Sequence, residues 1–156
     1  MKVIPISFDS LGTRSMATFV ETPDVSVLID PGVALAPNRY TYPPHPIEIK
    51  LMMHHWEEIK TYAKKADIIV LTHYHYDHYN PEAPEIYKDK QVYLKDPKQK
   101  INKSQSTRAK YFLKKLGNLP KSIEPAEGKE LKIGKTHIKF SPAGIPHGPD
   151  EKLGCV

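Results

Sequence analysis

Cysteine is almost missing from this chain: Cys155 is the single one in 156 residues. No internal disulfide and no thiolate cluster can form, so any transition-metal site must use histidine and carboxylate. Long apolar runs are missing as well. No stretch approaches the ~20 residues of a membrane-spanning helix. The start, Met1-Lys2-Val3-Ile4-Pro5, meets Ser7 and Asp9 too soon for the apolar region of a signal peptide, and a cytoplasmic location is expected. There is no internal repeat, no low-complexity segment and no phosphate-cradling loop. Ser10 and Ser15 lack the flanks of a nucleophilic serine elbow.

What is present suits one folded domain over residues 1–156. Hydrophobic residues make up 39% and charged residues 26%, a globular balance rather than a disordered one. The formal charge of +5 favours anionic partners, a nucleic acid or an anionic small molecule. A lysine-rich solvated surface accounts for the same number without any partner.

The pattern along the chain alternates strands and helices. Val3, Ile4 and Ile6 precede a turn at Asp9–Gly12, Met16–Glu21 alternates with the period of a strand, and Val25–Ile29 is a β-branched run ending at Asp30-Pro31-Gly32. A proline-rich loop occupies 33–46. Helical spacing then predicts a helix from about Ile47 to Lys65. Asp67–Leu71 reads as a strand buried on both faces. A short helix over Pro81–Lys88, a strand at Val92–Leu94 and a helix capped by Ser104 or Ser106 and ended by Gly117 follow. The last elements are strands near Glu130–Ile133 and Thr136–Phe140, joined at Gly134-Lys135. This order predicts an α/β or α+β fold, a mixed sheet with helices packed on it.

Chemistry concentrates directly after the buried strand. His73, His75, Asp77 and His78 fall within six residues of one another in a chain with eight histidines. If extended geometry persists past the strand, His73, His75 and Asp77 share one side, since side chains alternate. A catalytic zinc takes three protein ligands and leaves a position for water, whose pKa it lowers to about 7. Two histidines and an Asp-His pair supply ligands for two adjacent ions. Zinc suits imidazole and carboxylate best, with iron or manganese as alternatives.

The run His73-Tyr74-His75-Tyr76-Asp77-His78 resembles the His-x-His-x-Asp-His signature of the metallo-β-lactamase superfamily. Ser10-Leu11-Gly12-Thr13 is similar to that family's early glycine turn, and Val27-Leu28-Ile29-Asp30-Pro31-Gly32 to its strand ending in Asp and Gly. The resemblance runs through the chain and looks closest to an archaeal group of predicted metal-dependent hydrolases. It implies an αββα sandwich in which His73 and His75 bind a first metal and Asp77 and His78 a second. His147, in Pro146-His147-Gly148, would be the third ligand of the first. Asp77 or a neighbouring carboxylate would orient the nucleophilic water. Superfamily members are longer, and their bridging aspartate and last histidine come from a second half. After His147 only Asp150 and Glu151 remain, so the chain reads as the first half of the sandwich.

Other residues have plainer roles. Asp30 is either a turn residue or a group orienting a ligand histidine. His54 can reach Glu58 at i+4, and both His54 and His55 read as structural. His45 lies between prolines in the loop, and His137 in a strand at the surface. The stretch Lys95–Lys115, with Lys98, Lys100, Lys103, Arg108, Lys110 and Lys114, reads as a solvated basic helix face or a polyanion track. Two functions remain: a metallo-hydrolase acting on a phosphodiester or ester, and a non-catalytic metal-binding or assembly half. The second would work as a homo-oligomer or with a complementary chain.

Overall fold

The structure is a computed structural model, and it describes residues 1–36, 41–142 and 145–146. Its elements in chain order are β1 (Lys2–Ser10), β2 (Thr13–Glu21), β3 (Ser26–Ile29), β4 (Ala34–Leu35), α1 (Pro46–Lys65), β5 (Ile68–Leu71), β6 (Gln91–Leu94), α2 (Lys103–Leu116), β7 (Ser122–Pro125), β8 (Glu130–Ile133) and β9 (Thr136–Lys139). One 3-10 turn, Pro84–Tyr87, stands where the sequence predicts a longer helix. The fold is the expected mixed sheet with helices on it.

The main sheet runs β1-β2-β3-β5-β6-β7, with β4 beside β2. β1, β2, β3 and β4 pair antiparallel. β3, β5, β6 and β7 pair parallel, which brings their carboxyl ends to one edge. Crossovers with helices bury both faces of such a sheet. All four residues of β5, Ile68–Leu71, are buried, and each such side chain contributes about 1.5–3 kcal/mol. The segment that launches the histidine run is therefore among the most firmly held in the fold.

One face packs on the helices, where Leu28, Ile69, Leu71, Tyr79, Ala109 and Phe112 share a core. The other face, with Val27, Ile68, Val70 and Tyr93, is covered in part by the β8–β9 hairpin through Leu131, Ile133, Ile138 and Phe140. Further along that face, on the β1–β2 ribbon, Phe8 pairs with Met16, and they are 42% and 48% exposed.

Local signals explain both helices. His45 caps α1, its Nδ1 accepting from Ile47 N, while Glu48 accepts from His45 N to complete a capping box. Asn102 caps α2 by accepting from Gln105 N, in place of the expected Ser104 or Ser106, and Gly117 ends it. Among the described residues, no helix is long and apolar enough to cross a membrane.

Candidate metal centre

The site starts where β3 and β5 end side by side, Ile29 in register with Val70. Asp30 N donates to Val70 O at 2.9 Å, and Asp30 adopts a left-handed φ of 48°. That conformation is uncommon outside glycine, although aspartate tolerates it better than most residues. Here it directs the carboxylate across the strand ends. Oδ1 accepts from Thr72 N at 2.8 Å and Oδ2 from the Thr72 hydroxyl at 2.7 Å.

Thr72 passes this arrangement on. Its hydroxyl proton goes to Asp30, so the 3.0 Å contact between Thr72 Oγ1 and His73 Nδ1 needs the proton on the imidazole. The network thus assigns the Nδ1–H tautomer to a neutral His73 and leaves a lone pair on Nε2. His73 Nε2 lies 2.9 Å from His75 Nδ1.

The extended geometry does not continue, because the strand stops at Leu71 and a turn occupies Tyr76–His78, closed by His78 N donating to His75 O at 2.9 Å. The turn returns His78 to His73, with ring centroids 3.9 Å apart. His78 Nδ1 lies 2.9 Å from Asp30 Oδ2, close enough for an ion pair but off the direction of a hydrogen bond. His78 Nε2 is 3.6 Å from Asp77 Oδ2, which in turn is 3.5 Å from the Arg14 guanidinium of β2. Arg14 is half-exposed, so that last attraction is weak. His73 is 1% exposed, Asp30 3%, and Asp77 and His78 9% each. The cluster is largely withdrawn from water.

Gly32 makes the turn possible. A Cβ there would stand 2.1 Å from Tyr79 N and 2.4 Å from His78 C. Ser15 holds this glycine from the far side, its hydroxyl donating to Gly32 O at 2.6 Å.

The donors sort into two pairs, His73 with His75 and Asp77 with His78. Around an ion with ligand distances near 2.0–2.2 Å, tetrahedral neighbours stand roughly 3.3–3.5 Å apart. The 3.6 Å between Asp77 Oδ2 and His78 Nε2 is of that size, whereas the 2.9 Å between His73 Nε2 and His75 Nδ1 is a hydrogen-bond distance. The donor types suit a metal, and the Asp77–His78 pair also has the spacing of two ligands of one ion. Among the described residues, no three such side chains form a group that could hold an ion. His147, the expected third ligand, lies outside the described residues.

Sequence reasoning missed two contributors. Thr72 had a legible signal, a hydroxyl between a buried strand and the first histidine. Arg14 had none, since it acts through a contact distant in the chain. Gly32 was marked as the end of the Asp-Gly strand, but not for its contact with the histidine turn. The basic stretch also needs correction at its first member. Lys95 is buried, with its side chain 1% exposed, and donates to Glu127 Oε1 at 2.6 Å and to Gln99 O. Arg108 lies over the Tyr76 ring, 4.7 Å from its centroid. Lys103, Lys110, Lys114 and Lys115 do face solvent.

This is a mixed-sheet α+β protein with a histidine–carboxylate cluster at the carboxyl edge of its parallel strands. Its homologues are archaeal UPF0282 proteins. The whole chain aligns at 52% identity with 52% of one from Korarchaeum cryptofilum. It aligns at 51% with 57% of one from Methanocaldococcus jannaschii, and at 51% with 52% of one from Sulfurisphaera tokodaii. The chain spans about half the length of the curated relatives it matches. No family model matches it. A solved structure, a possible metal-dependent hydrolase from Veillonella parvula, is similar over 82% of this chain and 45% of its own, at 14% identity and a TM-score of 0.42.

Proposed function

We propose that this chain carries the principal metal-ligand half of a metal-dependent hydrolase of the metallo-β-lactamase type. The observation that supports this most is the coupling of both donor pairs to one buried carboxylate, Asp30, which reaches His73 through Thr72 and His78 directly. Outer partners of this kind fix the tautomer and orientation of ligand histidines. His73 and His75, with His147, would hold one ion, and Asp77 and His78 a second. Zinc is the favoured metal on donor chemistry, with iron or manganese as alternatives.

A bound ion would supply Lewis acidity and hydroxide at neutral pH. The chain's own residues do the rest. Asp30 and Thr72 turn the Nε2 of His73 toward His75 Nδ1, and Asp77 would orient the nucleophilic water. Arg14, 3.5 Å from Asp77, places positive charge beside the reacting centre. With a net charge of +5, this favours an anionic ester, a phosphodiester ahead of a carboxylic ester, in a small molecule or a nucleic acid.

A second reading, a non-catalytic assembly half, has its own support. Phe8, Met16 and Val3, the last 53% exposed, leave apolar side chains uncovered on β1 and β2. A complementary chain or a second copy would cover that ribbon.

Elemental analysis of the untagged chain tests both readings. His73→Ala with His75→Ala, and Asp77→Ala with His78→Ala, should each remove about one equivalent of metal from a two-ion site. One equivalent, lost only in the first variant, would mean a half-built site awaiting a partner. Metal content unchanged in both variants would sink the hydrolase reading.

A further inference from the structure

β5 ends at Leu71, so the backbone of the histidine loop lies beyond the sheet ladder. Buried peptide groups still need partners. Tyr74, the residue between His73 and His75, is fully buried and finds three. Tyr74 N donates to Gln105 Oε1 at 3.1 Å, and Tyr74 O accepts from the Arg108 guanidinium at 3.3 Å. Tyr74 Oη donates to Lys95 O at 2.6 Å, which ties the loop to the end of β6. The N–H belongs to the peptide shared with His73 and the carbonyl to the peptide shared with His75. Both links between the two histidines are therefore held from α2.

Gln105 stands out among these partners. It lies on the buried stripe of α2 with Ala109, Phe112 and Leu116, and it is 0% exposed. An apolar side chain would suit that stripe, because an amide there is costly unless it is hydrogen-bonded. Its orientation is unambiguous: an N–H faces it, so the amide oxygen must be the atom in contact. Asn102 seats it at the start of the helix by accepting from Gln105 N at 2.8 Å. Arg108, three residues on, is its neighbour on the helix surface. Besides holding the Tyr74 carbonyl, Arg108 lies over the Tyr76 ring, 4.7 Å from its centroid.

We propose that Gln105 and Arg108 are positioning residues of the metal centre. By fixing the two peptides of Tyr74 they set the approach of the His73 and His75 rings, whose facing nitrogens stand 2.9 Å apart. They act through the loop backbone, which makes them a second brace besides Asp30, the carboxylate that reaches His73 through Thr72. The proposal rests on the hydrolase reading only for the use to which this arrangement is put.

Nuclear magnetic resonance of the metal-free chain tests it, at about pH 8, where ordinary imidazoles are neutral. Gln105→Met keeps the length of the side chain and removes the acceptor. The Tyr74 amide should then exchange its hydrogen roughly 5- to 100-fold faster, and the ring-nitrogen signals of His73 and His75 should shift. Those of His54 and His55 on α1 and His137 on β9 should stay, as should the protection of the Ile69 and Phe112 amides. Gln105→Glu, whose carboxyl oxygen still accepts from an N–H, should restore the parental Tyr74 exchange and ring signals. Arg108→Met, at a half-buried position, should shift the same two rings and serves as the test if Gln105→Met does not fold. These readouts need no metal, so they decide the positioning role whether or not the chain takes up zinc. Parental ring signals in Arg108→Met and in a folded Gln105→Met would overturn the proposal. So would a general loss of protection, Ile69 and Phe112 included, that Gln105→Glu does not reverse, because Gln105 would then serve only packing.

Discussion

Asp30 Oδ2 lies 2.9 Å from His78 Nδ1 across the ends of two parallel strands. The same oxygen accepts the Thr72 hydroxyl, so one carboxylate braces both arms of the donor cluster. Asp30→Asn should preserve the turn but weaken that brace, and Thr72→Val should release only the His73 arm. Outer-partner substitutions of this kind typically cost 10–100-fold in metal affinity. Competition with a chelator should show the larger loss in Asp30→Asn. Affinities matching the parent in both variants would reduce Asp30 to a turn residue.

Gly32→Ala should be severe. The added methyl carbon would meet backbone atoms of His78 and Tyr79 rather than a flexible side-chain end, so the loop itself must shift. Urea denaturation should show a loss of at least about 1–3 kcal/mol, and metal content should fall with it. A Gly32→Ala chain of parental stability would mean the loop is softer than its packing implies.

Lys95 and Glu127 form a buried ion pair, so removing one charge strands the other. Lys95→Met should destabilise the fold by about 3–5 kcal/mol, while Lys95→Met with Glu127→Gln should recover much of that loss. A double variant no more stable than the single one would show that the charge itself is not the problem.

His55 gives the fold a pH dependence. Burial lowers its pKa below the ordinary 6.5, outweighing the attraction of Glu58, and His54 beside it pushes the same way. The folded chain therefore holds this proton less tightly than the unfolded one. Its contribution to stability is present above about pH 6.5 and is lost as the pH falls from there through the lowered pKa of the folded state. The urea midpoint of the parent should drop between pH 7.5 and 5.5 by more than that of His55→Gln. Parallel curves would exclude His55 as the source.

Much of the architecture was legible because local pattern and tertiary demand agreed. The periodicity placed a helix from about Ile47 to Lys65, and α1 runs Pro46–Lys65. The hairpin of β8 and β9 fell where Gly134-Lys135 indicated. β7 went unread because Ser122-Ile123-Glu124-Pro125 has little apolar pattern of its own and becomes a strand by pairing with β6. Lys95 was read as solvated because no local rule anticipates Glu127, thirty-two residues further on.

The donor cluster divides in the same way. Donor types and spacing in His73–His78 are local properties of the chain, and they suffice to point toward a metal. Which donors stand together is not local. Simple alternation would group His73, His75 and Asp77, and His75 does stand beside His73, but β5 ends at Leu71 and the turn at Tyr76–His78 brings His78 onto His73 as well. The brace on that arrangement comes from Asp30, forty-two residues before Thr72. Only the parallel pairing of β3 with β5 places the two strand ends side by side, and only there can one carboxylate serve both histidines.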